Sequence, residues 1–373
     1  MMSAGGSGYA RLRGSLAQVS IPFTVTFLVA VNGIFMLGPY LHGAASTLRA
    51  DDFWSYSGGF ARRGLFGEAL IVLGRVLGRN PTPLMSLLLL ALFAVATVYV
   101  LRLLWRDAPL MDRFLLIGTP LLYGFGVDRE VVLLAPALML YLGRRRGSAR
   151  WTHAGLAAIP LVCLVHELAI ALYAPYLLVV YASRSGPERT AAWTALAASA
   201  ALLAGLVLMG SDPNLRPETE FWPAFGVVGL ESTELYRFAT VGLGEILSER
   251  AATYLSWDGL TTLMFSGLLA EYLVLGTGRS TAVRLATFAT IAGTFVLTSD
   301  HGRYAYVLLY LFVLLRAAHL DAPDEGSVWT GPRVRPFLVG FWMSPVGLWA
   351  GDIGWPTILR IYHDLSRITG LSL

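Results

Sequence analysis

The residues able to do chemistry in this chain are gathered into a few short polar clusters between long apolar runs. The largest is Asp51-Asp52-Phe53-Trp54-Ser55-Tyr56-Ser57-Gly58-Gly59-Phe60-Ala61-Arg62-Arg63-Gly64-Leu65-Phe66-Gly67-Glu68. A connector between two apolar segments needs none of this chemistry. Asp51 or Asp52 can take a proton from a hydroxyl as a general base. The guanidinium forks of Arg62 and Arg63 match phosphate oxygens bidentately. Gly58, Gly59, Gly64 and Gly67 permit close approach of backbone to a head group. Each feature also has a plainer reading. The aspartates would cap a short helix starting at Phe53, Trp54 and Tyr56 would sit in an interfacial aromatic belt, and the arginines would snorkel to lipid phosphates.

Three smaller clusters interrupt later apolar runs: Asp128-Arg129-Glu130, His166-Glu167 and Asp300-His301-Gly302-Arg303. An arginine flanked by two acids reads either as a self-neutralised cap of a helical hairpin or as a carboxylate presented to substrate while the others pair. His166-Glu167 reads as a hydrogen-bonded core pair or as a substrate contact. It is not a zincin signature, since position 170 is Ile where a second histidine would be required. Asp300-His301-Gly302-Arg303 would serve equally as a plain helix start. No metal site is assigned, because His166, His301 and the acids lack diagnostic spacing; a divalent cation (Mg or Mn) stays open as a cofactor. Glu271 is a lone acid within an apolar run.

The elements that must position these clusters follow from composition. The 373 residues are 55% hydrophobic and only 14% charged, with mean hydropathy +0.61. Soluble domains run near a quarter charged, so the expected fold class is all-α, a polytopic membrane helix bundle in a single domain. The single cysteine, Cys163, excludes an intrachain disulfide and a cysteine metal cage. All 28 basic residues are arginine, which excludes a lysine Schiff base. The net charge of +4 is uninformative until divided between membrane faces. No cleavable signal peptide is evident, because the first apolar run lacks a small-residue cleavage site.

About 11 membrane segments are expected. A polar tail, 1–19, precedes a span at 20–42. The first outer loop, 43–82, contains the large cluster and an interfacial helix over 65–78, and a second span covers 83–105. The runs 114–127, 131–143, 154–165 and 168–182 are each too short to cross: at about 1.5 Å per residue they reach roughly 18–23 Å against a hydrocarbon core of about 30 Å. Fusing neighbours would strand the charges of 128–130 in mid-bilayer. Two V-shaped hairpins fit better, with polar vertices lining a water-filled cavity. Further spans are read at 191–209, 258–277, 285–298, 304–318 and 337–350. A large loop (211–257), a charged loop (319–336) and a C-terminal tail (351–373) complete the chain.

Arginine placement gives the orientation. With the N-terminus inside, the inner segments hold Arg11, Arg13, Arg102, Arg106, Arg113, Arg144, Arg145, Arg146, Arg150, Arg184, Arg189, Arg279, Arg284, Arg316, Arg333 and Arg335, which is 16 of the 28 basic residues. Basic bias in short loops is the best sequence guide to topology. It makes 1–19 and 319–336 cytoplasmic, and puts 211–257, 351–373 and every polar cluster on the outer face.

A span, an outer loop opening on an acidic pair, an interfacial helix and then short buried hairpins resemble the layout of the GT-C-type polytopic glycosyltransferases. The likeness covers residues 20–185, and its motifs are Asp51-Asp52 and Asp128-Arg129-Glu130. Those enzymes take sugars from polyprenyl-phosphate or -diphosphate donors, with an aspartate of the first outer loop as base; Asp51 or Asp52 stands at that place. Arg62-Arg63-Gly64 and Asp300/Arg303 also look similar to O-antigen and exopolysaccharide polymerases. The chain departs from many GT-C members in lacking a large soluble outer domain and a WWD-type motif, which argues against a peptide acceptor.

The resemblance implies glycosyl transfer at the outer face of the inner or plasma membrane. The catalytic candidates are Asp51 and Asp52, and the lipid-phosphate candidates are Arg62, Arg63, Arg129 and Arg303. Trp54, Tyr56, Glu68, Asp128, Glu130, His166, Glu167, Asp300 and His301 would orient substrate. Expected partners are a polyprenyl-linked sugar or oligosaccharide, a glycan acceptor and membrane lipids, with no nucleic acid. Two other readings compete: a transporter or flippase for a lipid-linked or anionic solute, and a non-catalytic assembly subunit.

Overall fold

The structure, a computed structural model, describes residues 21–30, 32–34, 64–107, 129–166, 169–178, 185–209, 222–227, 287–290 and 313–315. It also describes isolated positions between 37 and 48, at 248, and between 281 and 318. Among the described residues all regular structure is helical and no strand occurs. Six helices carry the account: α1 (Gly64–Leu77), α2 (Thr82–Asp107), α3 (Leu134–Arg145), α4 (Ala149–Val165), α5 (Ala169–Tyr176) and α6 (Pro187–Met209). Short 3-10 turns stand at Arg129–Leu133 and Pro223–Phe225.

Helix α1 buries Phe66, Gly67, Leu70, Ile71 and Gly74, a stripe at helical spacing, while Val72 and Val76 stay exposed. This matches the expected short helix at 65–78, shifted by one residue. Its Gly74 lies under the ring of Phe225, where an added Cβ would come within 3.2 Å; the 3-10 turn at 223–225 thus seats on α1. Asn80 then starts α2, its Oδ1 accepting from the Thr82 amide at 3.0 Å and from the Thr82 hydroxyl at 2.8 Å. Such an Asx cap satisfies donors that a helix start leaves open.

Within α2, Thr82–Leu103 is long and apolar enough to cross a membrane. Its 22 residues rise about 33 Å, against a hydrocarbon core of about 30 Å. It is the one such helix among the described residues; most of the other expected spans lie wholly or partly outside them. One side of α2 exposes Leu84, Leu87, Leu88 and Val95, and the other buries Leu89, Phe93, Ala96 and Val100. On the buried side Phe93 stacks on Tyr310 with ring centroids 5.9 Å apart. The Tyr310 hydroxyl also shares a hydrogen bond with Thr97 at 3.1 Å.

The centre of the described fold is the antiparallel hairpin of α3 and α4. Gly147, at φ 60, supplies the left-handed residue its turn requires. The Ser148 amide then donates to the Gly143 carbonyl at 2.8 Å. The two backbones press together at two glycines. A Cβ on Gly143 would meet the Thr152 nitrogen and Oγ1 at 2.6 Å, and one on Gly155 would come 3.0 Å from the Pro136 carbonyl oxygen. Small residues at such crossings let helix backbones approach closely. Gly143 therefore faces Thr152 and Gly155 faces the Pro136–Leu140 turn. This register, continued to the far end, sets residue 130 opposite residue 166.

Two boundaries differ from the sequence reading. The apolar run 154–165 understates α4, which begins at Ala149 and is 17 residues long, about 26 Å. Arg150, Trp151 and His153 are exposed members of its first turns, so helix continues where apolarity does not. The run 168–182 overstates α5, whose α-helix is Ala169–Tyr176, 8 residues, with Pro175 in its last turn and a π turn at 177–178. Proline withholds an amide from the ladder and crowds the preceding turn, which fits a helix that ends there. The expected span at 191–209 starts earlier, at Pro187, and packs its Ala192, Ala195 and Ser199 side toward α4.

Candidate functional site where a helix start faces a helix break

A helix begins at one of the places where sequence set polar vertices and another ends at the second. At the first, a 3-10 turn over Arg129–Leu133 leads into α3. At the second, α4 stops at Val165 and His166 is extended, with φ −152 and ψ 117. The His166 amide closes the last turn of α4 on the Val162 carbonyl at 2.9 Å. Its carbonyl accepts from the Ala169 amide at 3.0 Å, so one residue ends α4 and opens the next turn.

The hairpin register brings these two places together. The Glu130 Oε1 atom lies 3.9 Å from the Arg129 Nε and 3.9 Å from the His166 Nε2. Arg129, Glu130 and His166 are 1%, 1% and 0% exposed. At 3.9 Å these contacts exceed hydrogen-bond length, yet in a dry interior they are strong electrostatic neighbours. A carboxylate in the opening turn of a helical segment also sits at the favourable end of its dipole. The arrangement holds one carboxylate between a permanent cation and an imidazole. Such a carboxylate can orient an imidazole, or accept and return a proton through it.

The burial corrects one expectation. Arg129, Glu130 and His166 do not line a water-filled cavity; each is at most 1% exposed, and Val131, Leu133 and Val165 next to them in the chain are buried as well. The physical reason is mutual compensation, since buried charges persist when paired. A substrate phosphate reaches Arg129 only by displacing what covers it.

Of the other expected site residues, Glu68 is half-buried in the second turn of α1. Asp51, Asp52, Trp54, Tyr56, Arg62, Arg63, Asp128, Glu167, Asp300, His301 and Arg303 lie outside the described residues. Among the described residues no group of three or more His, Cys, Asp or Glu side chains could hold a metal ion.

One residue of the site region escaped the sequence reading. Tyr173 of α5 is wholly buried, and its hydroxyl donates to the Leu133 carbonyl and accepts from the Ala137 amide at 3.1 Å. The available signal was a tyrosine within an apolar run, because a buried phenol requires a hydrogen-bond partner. Its partners lie 36 and 40 residues away, beyond any local pattern. No family description, curated protein or solved structure matches this chain.

Proposed function

We propose that the chain is a multi-pass inner- or plasma-membrane protein of about 11 membrane segments, with a cytoplasmic N-terminus. In this reading it is a glycosyltransferase or polysaccharide polymerase acting at the outer face on a polyprenyl-phosphate- or diphosphate-linked sugar. The isoprenoid phosphate leaves as a stable anion, so the reaction needs one base for the acceptor hydroxyl and cations for the developing phosphate charge. Asp51 or Asp52 is the base, and Arg62, Arg63 and Arg303 hold phosphate. The observation that supports this reading most is the convergence of a helix start and a helix break, with Glu130 set 3.9 Å from both Arg129 and His166. Buried charges in an apolar protein are costly, and within a membrane such groups mark functional sites by default.

The test is sugar transfer from a radiolabelled polyprenyl donor by the purified protein. Wild type should yield glycan product, and Asp52→Asn and Arg63→Ala should each abolish it while the protein stays folded in membranes. Wild-type product from both variants sinks the assignment.

The broken helices also suit a transporter or flippase of a lipid-linked or anionic solute, since such proteins place polar groups on discontinuous helices near the midplane. Solute uptake into proteoliposomes without sugar release would favour that reading. Alanine tolerance at every cluster would favour a non-catalytic assembly subunit.

A further inference from the structure

In an α-helix the amide of residue 137 would donate to the carbonyl of residue 133, and that pair would close the first ladder bond of α3. The Tyr173 hydroxyl bridges that same pair, accepting from the Ala137 amide at 3.1 Å and donating to the Leu133 carbonyl. Arg129–Leu133 is a 3-10 turn and α3 is regular from Leu134, so the hydroxyl is bonded at the junction of the two windings. It comes from α5, which starts three residues after His166. A single phenol thus ties the segment carrying Arg129 and Glu130 to the segment that follows His166.

We propose that Tyr173 is the positioning residue of this site, its hydroxyl bonded to both ends of the first turn of α3 to hold Glu130 against His166. Without the hydroxyl, the start of α3 loses its polar tie to α5, and the segment carrying Glu130 is free to move relative to the segment that follows His166. The consequence for turnover rests on the glycosyl-transfer reading above, whereas the geometric consequence does not.

The test uses full-length protein in nanodiscs with nitrogen-15-labelled histidine. Tyr173→Phe should move the His166 ring-nitrogen signals toward those of Glu130→Gln and leave exposed His153 unmoved. Tyr310→Phe is the control. It too removes a fully buried phenol hydroxyl, bonded to Thr97, and should leave His166 unchanged. p-Aminophenylalanine at position 173 keeps a donor toward Leu133 but is a poor acceptor, so it should give an intermediate shift. It also serves as the readout should Tyr173→Phe not accumulate. With activity in hand, Tyr173→Phe should lower kcat roughly tenfold, a barrier change of about 1.4 kcal/mol, and leave KM within about twofold. His166 signals unmoved by either change at position 173, or moved equally by Tyr310→Phe, overturn the proposal. No turnover by wild type together with a moved His166 signal overturns the glycosyl-transfer reading alone.

Discussion

The two ends of the α3–α4 hairpin use charge in opposite ways. At the turn, Arg144, Arg145, Arg146 and Arg150 are exposed beside exposed Trp151, and the Arg145 guanidinium donates to the Tyr141 hydroxyl at 2.9 Å. At the other end, some 26 Å along α4, Arg129, Glu130 and His166 are sealed from solvent. Solvated arginines need no partner and fix little geometry. Buried charges must be compensated, so each constrains the others and the backbone that carries them. The same hairpin therefore has one end that tolerates change and one end that does not.

The largest expected effect comes from breaking the buried end. Glu130→Ala removes the carboxylate from between Arg129 and His166 and so takes one partner away from a buried cation. The cost should be about 3–5 kcal/mol, the range for one partner of a buried pair. Thermal unfolding in detergent micelles should show a large loss of Tm or failure to accumulate, and Arg144→Ala should show no measurable change. Equal tolerance at Glu130 and Arg144 would erase the contrast between the ends.

A second prediction attacks the register that joins them. Gly143→Ala places a Cβ at 2.6 Å from the Thr152 backbone nitrogen, and backbone cannot swing aside as a side chain can. Overpacking of this kind costs about 1–3 kcal/mol. Gly155→Ala is milder, because its Cβ would stand 2.9 Å from the Leu140 Cγ and 3.0 Å from the Leu140 nitrogen and the Pro136 carbonyl oxygen, all looser than the 2.6 Å contacts at Gly143. The order Gly143→Ala below Gly155→Ala below wild type in Tm is expected; the reverse order would mean that the helices cross elsewhere.

How much of this was legible in sequence depends on the range of the interaction. Helix α1 and the apolar length of α2 follow from local periodicity, and both were placed within two residues. The helix start at 129–133 and the helix end at 166 were legible because charges in apolar runs are costly wherever they fall. The early start of α4 was not, because Arg150, Trp151 and His153 continue the helix on its wet side and apolarity does not record that. Nor was the sealed state of Arg129, Glu130 and His166 legible, since compensation between residues 36 apart in the chain depends on the Gly143 and Gly155 crossings. Tyr173 fell out of reach for the same reason: its two partners belong to another helix start.

The smallest expected effect concerns the exposed end, and it bears on orientation. Replacing Arg144, Arg145 and Arg146 together by Gln should leave Tm unchanged, since exposed substitutions rarely matter to stability. Basic residues near membrane segments do bias topology, so the informative readout is sidedness. The chain has one cysteine, Cys163, and it is buried, so Ser148→Cys adds a single accessible thiol at the turn. A membrane-impermeant maleimide should label it only after the cytoplasmic face is opened. The triple Gln change should shift little of that labelling, because Arg150 and the arginines of the other segments proposed to be inner remain. Labelling from the outside in the Ser148→Cys protein would put the basic turn on the outer face. The buried break lies at the opposite end of α4, so it would then face the cytoplasm, and a lipid-linked sugar presented on the outer leaflet could not reach it.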